Sequence, residues 1–405
     1  MKWSRLAATG LLIAAVLAGT SAAQGAPRAP AVPGGLGALS GLGALTGWQQ
    51  RGASGPGGKF GTAVAVSGRT AVVGAPLRGS HAGAAYLFVR IGAKWSLQAV
   101  LTPSRREAGE QFGGAVAISG STVVVGAAWE DVAGTGHAYV FVRNEGRWSQ
   151  QAELSAAHGA YGNGFGITVA ISHSTVVVGA PYRGGEKGAA YVFTRSGARW
   201  SQQAQLRPSP RVSDLFGTSV AVSGSTAVVG AETWSAARGT AFVFTRTGAR
   251  WSQQARLTTT GLVANDFFGS AVALSGPTAV IGVDGWNVDR GEALVFRRSA
   301  GRWSQVASLT ASHRLAADDS FGAAVSVSGP LAIVGTDGPD HAYEFARSAT
   351  SWSQRAEFIR GPADDLFGAA VAVSDSTAVI GAPGARGGAA FVYRIGAAPR
   401  ALLGG

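Results

Sequence analysis

Aromatic and acidic side chains occur together in four corresponding loops of this sequence. The loops read "AAWEDVAGTG", "APYRGGEKG", "AETWSAARG" and "VDGWNVDRG", and their aromatic residues are Trp129, Tyr182, Trp234 and Trp286. Aromatic rings stack on sugar C–H faces or pack against peptides, and they are enriched at recognition surfaces. Carboxylates in the same loops can accept hydrogen bonds from a ligand: Asp131, Asp284 and Asp289. These seven residues form the candidate ligand-binding site.

Two other interpretations of these residues stay open. Each ring can instead fold down and cover its own loop. The carboxylates of Asp131, Asp284 and Asp289 can also serve as acid and base in a polysaccharide hydrolase or lyase. No nucleophile elbow, His-Glu-x-x-His motif, Walker loop or Rossmann glycine pattern stands in a suitable context, so no catalytic residue is predicted. The histidines lie at unmatched positions, except that His137 and His341 both precede Ala-Tyr.

A repeat of about fifty residues supplies the elements that must position these loops. Phe-Gly pairs begin at seven positions: Phe60, Phe112, Phe165, Phe216, Phe268, Phe321 and Phe367. Each unit contains four runs with strand character, such as "FGTSVAVSG", "TAVVGA", "GTAFVFTR" and "WSQQARL", which are separated by glycine-containing turns. This pattern predicts an all-β fold, a seven-bladed β-propeller of four-stranded antiparallel blades.

The Trp-Ser segments predict how the ring closes. Six units begin their fourth strand with Trp-Ser, whereas the seventh unit stops after "GAAFVYR" at Arg394. The segment "GWQQR" at Trp48 resembles the missing strand and precedes the first Phe-Gly pair. An N-terminal strand is therefore predicted to complete the last blade, so that no sheet edge is left between the first and last blades.

Strand parity assigns the connections to two faces. The loop face carries the loops after the second strands and the connections between blades, and the turn face carries the Ser-Gly and Gly-Ala-Arg turns. The Phe of each Phe-Gly pair is predicted to anchor the core between blades. The polar residue two positions earlier, such as Asp266 or Asp319, is predicted to accept backbone N–H bonds from the turn entering the first strand. The repeated Trp is predicted to cover apolar surface with its N–H near water.

The Phe-Gly and Gly-Ala-Pro spacing resembles the FG-GAP repeat family, which includes the N-terminal propeller of integrin α subunits. Gly-Ala-Pro is intact at Gly74, Gly179 and Gly381, and the resemblance covers residues 48–394. It implies an exported propeller with a role in binding or surface adhesion.

The family often carries an acidic calcium loop between the first two strands. Here the corresponding turns read "SGRT", "SGST", "SHST" or "SDST", which lack the several oxygen ligands that a hard cation needs. We therefore predict no metal, no calcium in these turns and no other cofactor. Asp318-Asp319 and Asp364-Asp365 are the other positions at which a cation is considered.

The two ends of the chain indicate an exported protein. Residues 1–23 read as a signal peptide, 24–47 as a flexible Gly/Ala/Pro linker, 48–396 as the propeller and 397–405 as a C-terminal tail. No later run is long enough for a membrane helix, and the lack of cysteine excludes disulfides. We expect a secreted, extracellular or periplasmic monomer that binds glycan or extracellular protein, or a structural module without its own ligand.

The net charge of +12 is patterned along the repeat. Arginines end the third strands, as at Arg195 and Arg246, and basic residues precede the repeated Trp. Both sets fall on the turn face, where a basic ring can hold a polyanion. Solubility explains the charge as well, and no specific nucleic-acid motif accompanies it.

Overall fold

The structure of the chain is a computed structural model. It describes residues 48–51, 58–105, 107–128, 136–157, 162–209, 214–286, 290–313, 315–316, 319–338, 340–349, 351–360 and 365–395. The predicted signal peptide, linker and C-terminal tail lie outside the described residues.

The described strands form seven four-stranded antiparallel sheets, one for each Phe-Gly unit. The chain enters through β1 (Trp48–Arg51) and continues into blade 1 with β2 (Val64–Ser67), β3 (Thr70–Ala75), β4 (Ala84–Ile91) and β5 (Lys94–Leu101). Blade 2 contains β6 (Ala115–Ser119), β7 (Thr122–Ala127), β8 (His137–Asn144) and β9 (Arg147–Leu154). Blade 3 contains β10 (Thr168–Ser172), β11 (Thr175–Ala180), β12 (Ala189–Ser196) and β13 (Arg199–Leu206).

The later blades repeat this arrangement. Blade 4 contains β14 (Val220–Ser223), β15 (Thr226–Ala231), β16 (Thr240–Thr247) and β17 (Arg250–Leu257). Blade 5 contains β18 (Phe268–Ser275), β19 (Thr278–Val283), β20 (Glu292–Ser299) and β21 (Arg302–Leu309). Blade 6 contains β22 (Ala324–Ser328), β23 (Leu331–Gly335), β24 (His341–Arg347) and β25 (Trp352–Ile359). Blade 7 contains β26 (Ala370–Ser374), β27 (Thr377–Ala382) and β28 (Ala389–Arg394). The predicted seven-bladed propeller is confirmed.

Short helical turns follow the second strand in three blades. They are α1 (Arg78–His81), α2 (Arg183–Glu186) and α3 (Trp234–Ala237). Each spans four residues, and its two central residues have positive φ. Within the described part of the chain, no helix is long and apolar enough to cross a membrane.

The ring closes in two ways between the last and first blades. The inner strands of neighbouring blades contact each other all the way round, including β26 with β2. The seventh sheet has the order β1-β28-β27-β26, and Trp48 pairs with Val392 while Arg51 pairs with Ala389. The N-terminal segment thus occupies the outer position that the Trp-Ser strand occupies in the other blades.

The hydrophobic core lies between the blades as well as within them. At each of the seven blade boundaries, one buried cluster joins side chains of both neighbours, as where Val192 of blade 3 meets Phe216 and Phe242 of blade 4. Every Phe of a Phe-Gly pair is at most 1% exposed. The Phe216 ring meets Phe242 edge-on, with 5.8 Å between ring centroids. The predicted role of this Phe as a core anchor between blades is confirmed.

The Ser-Gly turns join the blades at the turn face. The Ser67 hydroxyl accepts a hydrogen bond from the Gly120 N–H of the next blade (3.2 Å), and Ser172 accepts one from Gly224 (3.0 Å). Gly68 donates in the same way to Ser374 (3.1 Å), which links the first blade to the last. The Ser-Gly turn thus provides a hydroxyl for contacts between neighbouring blades.

The repeated Trp-Ser-Gln-Gln phrase also links neighbouring blades. In blades 1 to 4, the Gln three positions after the Trp lies at a β-bulge between the third and fourth strands, where the pairing register shifts. The bulged Gln accepts the indole N–H of the next blade's Trp in four pairs: Trp148 to Gln98 (3.0 Å), Trp200 to Gln151 (2.9 Å), Trp251 to Gln203 (2.8 Å) and Trp303 to Gln254 (3.1 Å). In these blades the indole N–H is bonded to the neighbouring blade, and the four bonds are part-buried or exposed rather than fully buried.

Gly230, the glycine of the Gly-Ala-Pro position in blade 4, packs directly against the backbone of blade 5. A Cβ atom at Gly230 would lie 2.1 Å from the Gly269 carbonyl oxygen, so Gly230→Ala forces the two blades apart. We expect this change to lower the free energy of unfolding by about 3 kcal/mol or more. Gly224→Ala is the control, because a Cβ there meets open space and adds only left-handed backbone strain of about 1 kcal/mol. Urea unfolding of both variants measures the difference, and equal losses would contradict the steric argument.

Candidate functional site

The third residue of the Gly-Ala-Pro position lies at the start of the loop that follows the second strand. Blades 1, 3 and 7 carry proline there, whereas blades 4, 5 and 6 carry Glu232, Asp284 and Asp337. Tyr182 follows this position by one residue, while Trp234 and Trp286 follow it by two. The predicted aromatic residues therefore occupy two different positions of the loop. Trp129, Asp131 and Asp289 lie outside the described residues.

Trp234 lies where blades 1 and 3 carry Arg78 and Arg183. Arg78 lies over the Tyr86 ring of its own third strand, 5.5 Å from the centroid. In blade 4 the third-strand residue is Phe242, and the Trp234 ring packs edge-on against it with 5.4 Å between centroids. The guanidinium carbon of Arg256 lies 5.7 Å from the Trp234 ring centroid. Trp234 is therefore half-buried, held between an apolar ring and a cation.

A cavity of about 250 Å³ opens beside Trp234. Its polar lining comes from Arg238 and Arg256 and from the hydroxyl-bearing residues Thr258 and Thr259. An aromatic ring, two guanidinium groups and several hydroxyls together suit a polar or anionic ligand such as a sugar.

Tyr182 and Trp286 are also half-buried. Tyr182 packs over Gly164, where a Cβ atom would lie 2.9 Å from the tyrosine ring. Burial and, to a smaller extent, the charges of Glu232 and Glu186 together raise the pKa of Tyr182 to about 12. The Trp286 ring lies over Gly261 and joins the hydrophobic cluster between blades 4 and 5. Each described ring thus contacts its surroundings on the loop face and keeps part of its surface exposed.

Glu232 is a buried acid that directly follows the second strand of blade 4. Only 4% of its surface is exposed, so it is not available to a ligand on the loop face. Burial raises the pKa of Glu232 to about 8, and the nearby Asp284 carboxylate adds to the rise. Glu232 is therefore largely protonated at neutral pH, while Asp284 lies half-buried beside it.

Acidic residues before the Phe-Gly pairs cap the loops that enter the blades. Asp266 accepts the backbone N–H of Val263 at 2.5 Å, and Asp319 accepts that of Ala316 at 2.6 Å. The predicted capping role is confirmed for these two residues. Their carboxylates serve the backbone, which is a structural use of the acidic groups. Asp318 and Asp364 lie outside the described residues.

On the turn face, two of the predicted arginines pack on tryptophan rings. Arg195 lies 6.0 Å from the Trp200 centroid, and Arg246 lies 5.7 Å from that of Trp251. These cations therefore cover the outer strands of their blades. A polyanion partner on this face stays a prediction.

Sequence reasoning missed a cluster on the loop side of blade 6. His313, His341 and Glu357 place one potential metal-ligand atom each within 4.8 Å of one another. The pairing of Tyr343 with Glu357 across β24 and β25, two residues from the pairing of His341 with Ile359, explains the contact. The sequence signal was His341 before Ala-Tyr, but the pairing register was needed to bring Glu357 to it.

The protein is a repeat propeller: seven blades form a closed ring, share the Phe-Gly pair and differ in the side chains of their loop face. The family model described as FG-GAP repeat matches residues 54–88, 95–141, 148–193, 200–244, 251–296, 303–349 and 352–393. The chain belongs to the FG-GAP repeat family. No curated protein matches the chain.

Proposed function

We propose that this FG-GAP propeller is a secreted or cell-surface binding and adhesion module that recognises a glycan or an extracellular protein through its loop face. The observation that carries the proposal is the Trp234 cavity, where a half-exposed ring and two arginines line one opening. The blade core repeats almost unchanged, whereas Arg256 has no arginine counterpart at its fourth-strand position in the other blades, and Trp234 and Arg238 recur only in blade 5 as Trp286 and Arg290. Side chains that the fold does not require are the ones that we expect to contact a ligand.

The neighbouring loops extend this surface across adjacent blades. Tyr182 lies in blade 3 and Trp286 in blade 5, on either side of Trp234, and Asp284 lies beside Trp286. A linear glycan or a peptide segment is long enough to contact several blades at once. Trp129 and Asp131 in blade 2, and Asp289 in blade 5, belong to the same proposed surface by their loop positions.

Replacing the aromatic residues is expected to abolish recognition while leaving the fold intact. We expect Trp234→Ala to weaken binding at least tenfold, about 1.4 kcal/mol, because a stacked ring is a common binding hot spot. A triple change of Trp129, Trp234 and Trp286 to alanine is expected to remove the remaining signal. Glycan and surface-protein arrays probed with the purified chain measure both effects.

Trp251→Ala provides the matched control. Trp251 lies in the same blade but packs under Arg246 at the turn face, so its loss should leave array binding unchanged. Circular dichroism checks that all variants stay folded. Binding that survives the triple change in a folded protein would refute the proposed surface.

A polysaccharide hydrolase or lyase is the second candidate function. It is favoured by one observation, the buried Glu232 with a raised pKa next to the Asp284 carboxylate, because a protonated acid beside a second carboxyl group is an arrangement that acid and base catalysis uses. Glu232 is too buried to touch a substrate without a change in its loop, so Asp284 is the residue to test. Polysaccharide turnover that stops in Asp284→Asn would favour this function over binding alone.

A further inference from the structure

His313, His341 and Glu357 converge at the outer, loop-face end of blade 6. The His341 Nδ1 atom lies 2.7 Å from Glu357 Oε1, and the His313 Nδ1 atom lies 3.6 Å from Glu357 Oε2. The two imidazole centroids are 6.1 Å apart, so both rings face one carboxylate. His313 is exposed and the other two are half-buried, which leaves the cluster open to solvent.

The repeat itself brings these three residues together. His341 begins the third strand of blade 6, and Glu357 lies opposite Tyr343 on the fourth strand. His313 belongs to the loop that leads from blade 5 into blade 6. That loop is held by the Ser312 N–H, which donates to Gln354 Oε1 at 2.8 Å, as the equivalent loop of blade 1 is held by Ser104 and Gln150. The backbone positions are therefore fixed by bonds that recur in other blades.

Blade 2 shows what the same positions do with only one histidine. His137 begins its third strand, and its Nδ1 atom lies 3.0 Å from Glu153 Oε1. The loop residue equivalent to His313 is Arg105, which pairs with Glu107 instead. Among the described residues, only the blade 6 group contains three potential metal ligands. The second imidazole is thus the feature that distinguishes blade 6 from a simple His–Glu pair.

We propose that His313, His341 and Glu357 form a binding site for a transition-metal dication, with Zn²⁺ as the best match. Two imidazole nitrogens and one carboxylate are a donor set that Zn²⁺ accepts with a water in the fourth position. Tetrahedral ligands at zinc stand about 3.3 Å from each other, and the separations of 2.7 and 3.6 Å bracket that value. Hard cations such as Ca²⁺ prefer six or more oxygen ligands, so they fit this set poorly.

A neighbouring hydroxyl contacts His341 in the absence of metal. The Tyr343 Oη atom lies 3.1 Å from His341 Nδ1, and the Tyr343 ring is fully buried against Phe321. This is the same nitrogen that faces Glu357, so a metal bound through Nδ1 would replace the contact with the hydroxyl. Because His313 comes from the connecting loop, a bound metal would tie that loop to the outer strands of blade 6.

Zinc titration of the purified chain without a histidine tag tests the proposal. By isothermal calorimetry we expect saturable binding of one equivalent of Zn²⁺ and no saturable heat with Ca²⁺. His341→Ala and Glu357→Gln should each weaken zinc binding at least about 100-fold, since even second-shell changes cost 10- to 100-fold. His137→Ala is the matched control from blade 2, and its Kd for zinc should equal that of the unmodified chain.

Thermal unfolding provides the second readout. Zinc should raise the Tm of the unmodified chain and of His137→Ala, but it should not raise the Tm of Glu357→Gln, whose side chain keeps the size of glutamate. The proposal is overturned if the unmodified chain shows no saturable zinc binding, or if His313→Ala and Glu357→Gln bind zinc with unchanged Kd. Calcium binding that equals zinc binding and disappears in Glu357→Gln would overturn the choice of metal.

Discussion

Replacing Glu232 with glutamine is expected to raise the free energy of unfolding by about 4–5 kcal/mol at pH 9 and to leave it nearly unchanged at pH 4. Glu232 lies at the Gly-Ala-Pro position of blade 4 with 4% of its surface exposed, and burial raises its pKa to about 8. A carboxyl that ionises in such a place carries a charge without the hydration that it has in the unfolded chain, which costs free energy. Glutamine has nearly the same shape and is never charged.

The pH window follows from the direction of this shift. Because the pKa in the folded state lies above the unfolded value of about 4.5, the native protein retains a proton that the unfolded chain loses. The stability associated with this proton is complete below about pH 4.5 and is lost as the pH rises to about 8. The difference between Glu232→Gln and the unmodified chain should therefore grow across this interval and become constant above it.

Urea unfolding at several pH values between 4 and 9 measures this difference. Glu186→Gln is the control, because this substitution removes the same charge from an exposed position in the neighbouring blade. Its effect on stability should be small at every pH. If the difference between Glu232→Gln and the unmodified chain does not change with pH, the raised pKa of Glu232 is wrong.

Much of the propeller was predictable because each structural need recurs in every blade. A Phe that fills each blade boundary recurs about every fifty residues, and a Gly that touches a neighbouring backbone follows it. The strand runs were predictable for the same reason, since period-two alternation and glycine turns repeat seven times. The role of Gln203 was not predictable, because a β-bulge turns it toward Trp251 and simple alternation contains no bulge.

The candidate site was less predictable because its residues occur once each. Loop position indicated that Trp234 lies on the loop face, but the packing of its ring on Phe242 depends on a third-strand residue that is tyrosine in four of the other blades. Glu232 follows the second strand at the position where three other blades carry proline, and the sequence gives no sign that it is buried. His313 and Glu357 are 44 positions apart in the printed sequence, and only the connection between blades and the strand register bring them together.

Deleting residues 48–58 is expected to destabilise the propeller by about 4 kcal/mol or more, whereas deleting residues 24–46 should leave the Tm unchanged. Without β1, the β28 backbone from Ala389 to Val392 loses its outer partner, and the seventh blade becomes a three-stranded sheet with an open edge. Each lost ladder hydrogen bond costs about 1 kcal/mol, and the cover over this side of the blade is lost with it. The segment 24–46 has no periodic pattern with which to contribute a core.

The inner contact between β26 and β2 remains in the variant without residues 48–58, so a weakened ring rather than an unfolded chain is expected. An unpaired β28 should also pair with other copies, so we expect the variant to self-associate as its concentration rises. A second variant replaces Trp48 to Arg51 by an equal number of glycines and serines, which keeps Gly58 and its hydrogen bond to the Leu77 N–H. Calorimetry measures the Tm of both variants at several protein concentrations. Comparing the two variants separates the effect of losing the strand from that of shortening the chain. Equal Tm values for the two deletions would show that the inner contact alone closes the ring, and that β1 adds little to its stability.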